Sequence, residues 1–337
     1  MMKATVTAPS NIAFIKYWGA RDLARALPVN PSISMTLSAC VTRTTAELLA
    51  PDARDEVLLV DGDGRAEPAP EAFARRALAH VERLRTWAGR SERMRIATRN
   101  SFPAAAGIAS SASGFAALTL AVVRAFGRDP SAEELSSLAR QSGSGSAARS
   151  VLGGYVLWPA GDVETLTEDQ AHAVALAPAE HWDLADVVAL VETGPKAVSS
   201  LGGHELAPTS PYFETRLTLL PGRLERVRRA IEERDFGLLA PVLEEEAIDL
   251  HLIAMSSSPP VFYWAPGTLE VLAAVRGLRA EGIAAACTMD AGANVHVICP
   301  ADAEPAVAER VAALPSVRGV IRDRVGGGPT VETEHLI

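Results

Sequence analysis

Four stretches of this 337-residue chain combine residue types and spacings that suit chemistry on an anionic substrate. Residues 100–114 are a loop of small side chains that runs into an apolar stretch, Phe115–Phe126, with the length of a helix. A helix start leaves backbone N–H groups unpaired and carries the positive end of the helix dipole. Side chains this small let a nucleotide phosphate approach those amides. The loop lacks the Gly-Lys-Ser/Thr of a Walker A sequence and is no dinucleotide fingerprint; a tightly packed, buried helix start would use the same residues. The second stretch, Asn11–Gly19, sets Lys16 among aromatic and apolar neighbours. An ammonium buried there costs several kcal/mol unless an anion compensates it, so Lys16 either faces a carboxylate or phosphate or snorkels from a strand edge. In the third, Ser142–Ser150, hydroxyls and Arg149 fall within one or two helical turns. That arrangement grips a carboxylate or phosphate bidentately, although a flexible serine-rich turn would look similar. The fourth, Thr288–Asn294, ends an apolar strand in a lone acid, Asp290, beside small residues. An acid placed there is a turn-former or a catalytic carboxylate.

The elements that must position these groups follow from periodicity. β-branched or alternating patterns predict strands at Ala4–Ala8, Ile33–Leu37, Thr42–Leu49, Val57–Val60 and Met94–Ala97. The Asp61–Gly64 segment lacks the later ligands of a calcium loop and is a hairpin turn. Glu71–Trp87 places Phe73, Leu78, Val81 and Leu84 at helical spacing and stops near Gly89. Ser131 opens a capping box for a helix that runs to about Gln141. The serine-glycine run after it leads into a second small-residue helix start, and Val151–Pro159 returns to strand. A composition shift at Pro178–Trp182 divides the chain into regions 1–183 and 184–337. The second region is expected to hold strand Val187–Val191, helices near Tyr212–Glu233, Phe236–Ala254 and Thr268–Glu281, strands Ile283–Met289 and Val295–Cys299, helix Ala303–Ala313 and strand Val317–Arg322. Strands and helices mixed without strict alternation make an α+β protein.

Composition narrows the partners. A content of 48% hydrophobic and 22% charged residues suits a globular domain pair, and a net charge of −9 argues against nucleic acid or an anionic membrane. No apolar signal segment begins the chain, and no run approaches the roughly 20 apolar residues of a membrane span. The three cysteines, Cys40, Cys287 and Cys299, have no CxxC spacing and read as buried thiols of a cytoplasmic protein, implying neither metal nor disulfide.

Together these segments resemble one family. Pro103–Ser113 is similar to the nucleotide loop of the GHMP kinase superfamily. Within it, the segments Ile15–Gly19, Ser144–Arg149, Val198–Ser200 and Met289–Asn294 resemble the mevalonate diphosphate decarboxylases, as does His251 followed by Ser258-Pro259-Pro260. The matches run in family order from residue 8 to about 300. The resemblance implies a two-domain α+β GHMP fold: an N-terminal ribosomal-protein-S5-like domain, a C-terminal ferredoxin-like domain, and an active site between them. It also implies a homodimer. Such enzymes phosphorylate the 3-hydroxyl of a phosphorylated mevalonate with ATP and Mg²⁺ and then release carbon dioxide, in isoprenoid biosynthesis. On that resemblance Asp290 orients or deprotonates the 3-hydroxyl, Lys16 stands beside that acid, and Arg149, with Ser144 and Ser146, binds the C1 carboxylate. Pro103, Gly107, Ala109, Ser110, Ser111 and Ser113 hold the ATP phosphates, with Ser111 nearest the metal.

The departures from the family pattern bear on the substrate. A second lysine usually follows Lys-Tyr-Trp-Gly; this chain has Ala20. Where Val-Ser-Ser is often followed by Arg or Thr, it has Leu201-Gly202-Gly203-His204. Each charge-assisted hydrogen bond is worth roughly 1.5–3 kcal/mol, so the favoured expectation is the shorter 5-monophosphate tail, met by Ser200, His204 and Arg21, with Tyr17 also among the substrate-binding residues. The alternative is a diphosphate whose far phosphate meets Arg21, Arg25 or Lys196.

Overall fold

Alternation near the N-terminus becomes two long strands that run antiparallel down the centre of the first sheet: β1 (Lys3–Ile15) and β4 (Ser32–Leu48). The computed structural model describes residues 2–50, 52–103, 110–194 and 198–337. The two stretches expected as separate strands, Ile33–Leu37 and Thr42–Leu49, are one strand bent at residues 37–40, where the register with β1 shifts. Beyond the bend the sheet continues through β7 (Met94–Asn100), β5 (Glu56–Val60) and β6 (Ala66–Pro68). Before it, β4 pairs with β8 (Tyr155–Trp158), which pairs with β9 (Val174–Ala177). A two-stranded hairpin, β2 (Ala20–Asp22) with β3 (Leu27–Pro28), stands apart. The β5–β6 turn is the expected hairpin turn, with Asp61 Oδ1 accepting the amides of Asp63 and Arg65.

Alternation also sorts chemistry between the two faces of β1 and β4. Ile12, Phe14, Ile33 and Met35 enter a core shared with the second half of the chain. The opposite face carries Asn11, Ser32 and Thr36, bonded to the segment around residues 146–158. Helices α1 (Glu71–Ala88), α2 (Ser110–Ala125) and α3 (Ala132–Arg140) join the N-terminal core. Ser131 caps α3 by accepting the Glu134 amide at 3.2 Å. Phe73, placed by spacing on the apolar stripe of α1, is exposed.

The second sheet has strand order β11 (Ala286–Thr288), β12 (Val295–Pro300), β10 (Leu184–Leu190), β13 (Gly319–Arg324), all antiparallel. With α8 (Glu304–Ala312) between β12 and β13, this is a ferredoxin-like arrangement. Its first crossover is expanded by α4 (Ser200–Leu206), α5 (Phe213–Glu233), α6 (Phe236–Met255) and α7 (Pro266–Ala280). The three cysteines are buried.

The chain then returns. β14 (Thr330–Glu332) pairs with β1 on the first sheet, so the last residues of the 184–337 region pack with the N-terminal one. Just before it, buried Asp323 on β13 accepts the amides of Ser38, Ala39 and Cys40 at 2.7–2.8 Å, filling the bend in β4 with a carboxylate from the other sheet.

Candidate active site

Where the two halves meet, a cleft of about 320 Å³ is lined by residues from every stretch picked out by residue type. Lys16 follows the last residue of β1 and is buried, yet its Nζ reaches the cleft. The ammonium donates to Asp290 Oδ1 and to the Ala13 carbonyl, each at 2.9 Å. Asp290 lies 274 residues away, in the turn after β11. That turn is fixed by Asn294, whose Oδ1 accepts the Val191 and Glu192 amides, and by Thr268, which donates to the Ala293 carbonyl at 2.6 Å. An opposite charge this close favours the carboxylate over the neutral acid. The pair therefore joins a proton acceptor to a cation across the junction of the two halves.

Arg149 ends the short 3-10 turn Gly145–Ala148 and is buried. Nη1 donates to Ser32 Oγ at 2.5 Å, and Nη2 and Nε donate to Asn11 Oδ1 at 3.0 and 3.3 Å. Asn11 in turn donates to Ser150 Oγ and the Ser146 carbonyl. Burial lowers the guanidinium pKa to about 10, with Asp290 and then Tyr17 opposing the shift. It remains cationic at neutral pH and is set in one orientation. Ser144 and Ser146 line the cleft beside it. The Ser-Gly repeat is thus an ordered turn, and Gly145 shows why small residues are required: a Cβ there would lie 2.6 Å from Trp158 and 2.7 Å from Tyr17.

Tyr17 stacks edge-on to Trp158 at 5.0 Å and lies 4.2 Å from His204, ring to ring. Burial pushes its phenol well above the ordinary value, so it stays protonated. His204, on α4, accepts the Gly19 amide at Nδ1 (3.1 Å), and burial lowers its pKa to about 4. A neutral ring with Nδ1 so occupied carries its hydrogen on Nε2, leaving that nitrogen a donor. Ser199, Ser200 and Leu201 complete this end of the cleft.

Other expected site residues fall elsewhere. Arg21 turns away from the cleft and donates to the Glu164 and Leu166 carbonyls, at 2.7 and 2.9 Å. Arg25 pairs with Asp22 and Glu168 on the surface. Ser113 is buried against the sheet, 2.7 Å from Thr42 Oγ1, because its place on α2 faces the core rather than the cleft. Pro103 is exposed, and of Ser110 and Ser111 only Ser111 lines the cleft. Gly107, Ala109 and Lys196 lie outside the described residues.

Two contributors escaped the motif reading. Arg76, on α1, lines the cleft with its guanidinium 4.9 Å above the Phe115 ring. Glu246 is wholly buried and accepts the Lys16 amide at 3.0 Å. Its readable signal is a charged residue on the apolar stripe that Leu243, Ala247 and Leu250 form along α6.

On one side the cleft is bounded by the start of α2. The exposed Ser111 hydroxyl stands in the first turn of α2, and a Cβ at Gly114 would meet nothing within 4 Å. Among the described residues no three His, Cys, Asp or Glu side chains are grouped to hold a metal, and no helix is long and apolar enough to cross a membrane.

Comparison with known proteins gives a consistent picture. Residues 8–171 match the diphosphomevalonate decarboxylase-like N-terminal domain, and residues 187–331 the mevalonate 5-diphosphate decarboxylase C-terminal domain. Diphosphomevalonate decarboxylase of Candida albicans is 36% identical over 88% of this chain and 84% of its own length. The corresponding enzyme of Aspergillus fumigatus is 38% identical over 88% and 76%. Mevalonate diphosphate decarboxylase from Staphylococcus aureus superposes with a TM-score of 0.90 at 30% identity, covering 98% of both chains. The structure titled MDDEF in complex with MVAPP, AMPPCP and magnesium gives 0.88 at 33% identity, covering 98% of this chain and 99% of that one.

Proposed function

Because the chain belongs to the diphosphomevalonate decarboxylase family of ATP-dependent carboxy-lyases, we propose that it decarboxylates the 5-monophosphate of mevalonate to isopentenyl phosphate. Bound with magnesium, ATP supplies the phosphoryl group that turns the 3-hydroxyl into a leaving group. Asp290 receives the 3-hydroxyl proton, at an Oδ1 whose negative charge Lys16 Nζ balances at 2.9 Å. Lys16 also offsets charge on the transferring group. Arg149, held by Asn11 and Ser32, grips the C1 carboxylate with Ser144 and Ser146, so that the carboxyl carbon bond lies in line with the departing 3-oxygen. As carbon dioxide leaves, the electron pair of that bond forms the new double bond and the 3-phosphate departs. Ser111 and the amide end of α2 hold the triphosphate.

The observation that carries the choice of tail is the make-up of the cleft around Tyr17, Ser200, Leu201 and His204. It offers hydroxyls and one neutral imidazole donor. The cations that line the cleft among the described residues are placed elsewhere: Lys16 against Asp290, Arg149 against Asn11 and Ser32, Arg76 over Phe115. Arg21 and Arg25 are taken up by other partners. A second reading, a diphosphate tail, is favoured by the names of the relatives and by the MVAPP complex.

Parallel turnover of mevalonate 5-phosphate and 5-diphosphate, with ADP and carbon dioxide both recorded, separates the two. The monophosphate is expected to be preferred at least about tenfold in kcat/KM, the factor that corresponds to one charge-assisted hydrogen bond. The variant Ala20→Lys/Leu201→Arg is expected to narrow or reverse that preference. A wild-type preference for the diphosphate sinks the monophosphate reading, and ADP without carbon dioxide sinks decarboxylation itself.

A further inference from the structure

β1 ends at Ile15, so the peptide of Lys16 has left its strand just where the side chain must meet Asp290. Both polar groups of that residue are taken up by one buried ion pair from the other half of the molecule. The Lys16 amide donates to Glu246 Oε2 at 3.0 Å, and its carbonyl accepts Arg216 Nη2 at 2.8 Å. Arg216 Nη2 also lies 2.7 Å from the same Glu246 oxygen, closing a ring of three contacts. The second Glu246 oxygen accepts from Arg223 at 2.7 Å, and Asn30 adds a further bond to the Lys16 carbonyl. Glu246 and Arg216 are essentially inaccessible to water.

Burial alone would raise the Glu246 carboxyl, but Arg216, the Lys16 amide and Arg223 hold it below the usual range. Such a pair is a weak source of net stability, since desolvation offsets most of the attraction and apolar replacement is often neutral. Its placement has another use. α6, which carries Glu246, packs directly on β11, the strand that leads into Asp290. One helix therefore sits against both the Lys16 peptide and the strand that delivers the acid.

We infer that Glu246 and Arg216 are positioning residues that clamp the Lys16 peptide from α5 and α6 and so set the ammonium against Asp290. The inference rests on Lys16 serving the phosphoryl transfer proposed above, and the wild-type assay tests that separately: absence of ATP-dependent carbon dioxide release there defeats the reaction, not the clamp. The test uses Arg216→Met/Glu246→Met, which leaves no member of the pair stranded, and Arg216→Lys, which keeps the charge but replaces the rigid planar guanidinium that holds one nitrogen against both partners with a flexible ammonium. Arg223 retains Glu245 and Asp249 in both.

The clamp predicts a kcat lowered roughly 10–100-fold, the cost of displacing a reacting group by about 1 Å, with KM for both substrates within about threefold. Independent of turnover, the sequence has only three lysines, Lys3, Lys16 and Lys196. Competitive acetylation read by mass spectrometry therefore reports Lys16 against Lys3 directly, and the Lys16 to Lys3 ratio is expected to rise severalfold in both variants. A folded double variant whose kcat and labelling ratio match wild type overturns the inference. If the double variant fails to fold, Arg216→Lys decides by the same two readouts.

Discussion

Asp290 shows what one residue contributes. Its carboxylate meets Lys16 at 2.9 Å while the side chain keeps 28% of its surface exposed toward the cleft. An amide of the same shape still accepts from Lys16, so Asp290→Asn is expected to fold like wild type, with a melting temperature within a few degrees. Without a base for the 3-hydroxyl, turnover should fall about 10²–10⁴-fold. A variant that keeps most of its activity would remove Asp290 from the chemistry; one that loses activity and melting temperature together would make it a structural turn residue. The acid, Lys16 and Arg149 were legible in the sequence because each stands among residues too small or too apolar to need a charge. Their partners were not. Nothing in one dimension joins Lys16 to a carboxylate 274 positions away, or tells Arg21 to satisfy two backbone carbonyls instead of a substrate.

At the scale of elements, side chains are aimed by backbone shape. Gly145 lets the 3-10 turn before Arg149 lie against Trp158 and Tyr17. Gly145→Ala places a methyl 2.6–2.7 Å from both rings. The protein is expected to fold, because Tyr17 is only partly buried and its ring can yield, but with Tyr17 displaced and KM for the mevalonate ester raised about tenfold or more. Steady-state kinetics on purified variant checks this, and an unchanged KM would show that the Tyr17 wall does not define the substrate site. The helices of the second half were readable nearly to their ends, since their apolar stripes repeat with helical period: Tyr212–Glu233 was expected and α5 spans Phe213–Glu233. What periodicity concealed was the charge within those stripes. Arg216 and Arg223 alternate with Leu220 and Val227 along the buried side of α5, and Glu246 faces them from α6. Such residues read as interruptions of a core when they are its polar centre. The bend in β4 was equally hidden, because its stabilising carboxylate, Asp323, lies 283 residues from Cys40.

For the whole molecule, burial of histidine sets a response to acid. His80, His204 and His251 are neutral when folded because burial lowers their pKa values, to about 3, 4 and 4. The unfolded chain binds protons at each from about pH 6.5 downward. The unfolded state therefore holds more protons between about 6.5 and 4, and stability falls as pH falls through that window. Urea midpoints at pH 7, 5.5 and 4.5 should decline in order, and His80→Leu, at a residue that does not line the cleft, should flatten the decline. A midpoint that is level across the window would contradict neutral burial. The return of β14 to β1 has a different consequence, one of timing. A ribosome delivers β1 first and β14 more than three hundred residues later, and the Asp323 carboxylate that fills the bend in β4 only shortly before it. Until then the sheet that leads into Lys16 lacks its partner at Thr5–Thr7 and has one bend without its anion. The nascent chain therefore carries Lys16 long before Asp290 emerges, and the strand that pairs with Thr5–Thr7 of β1 is made after both.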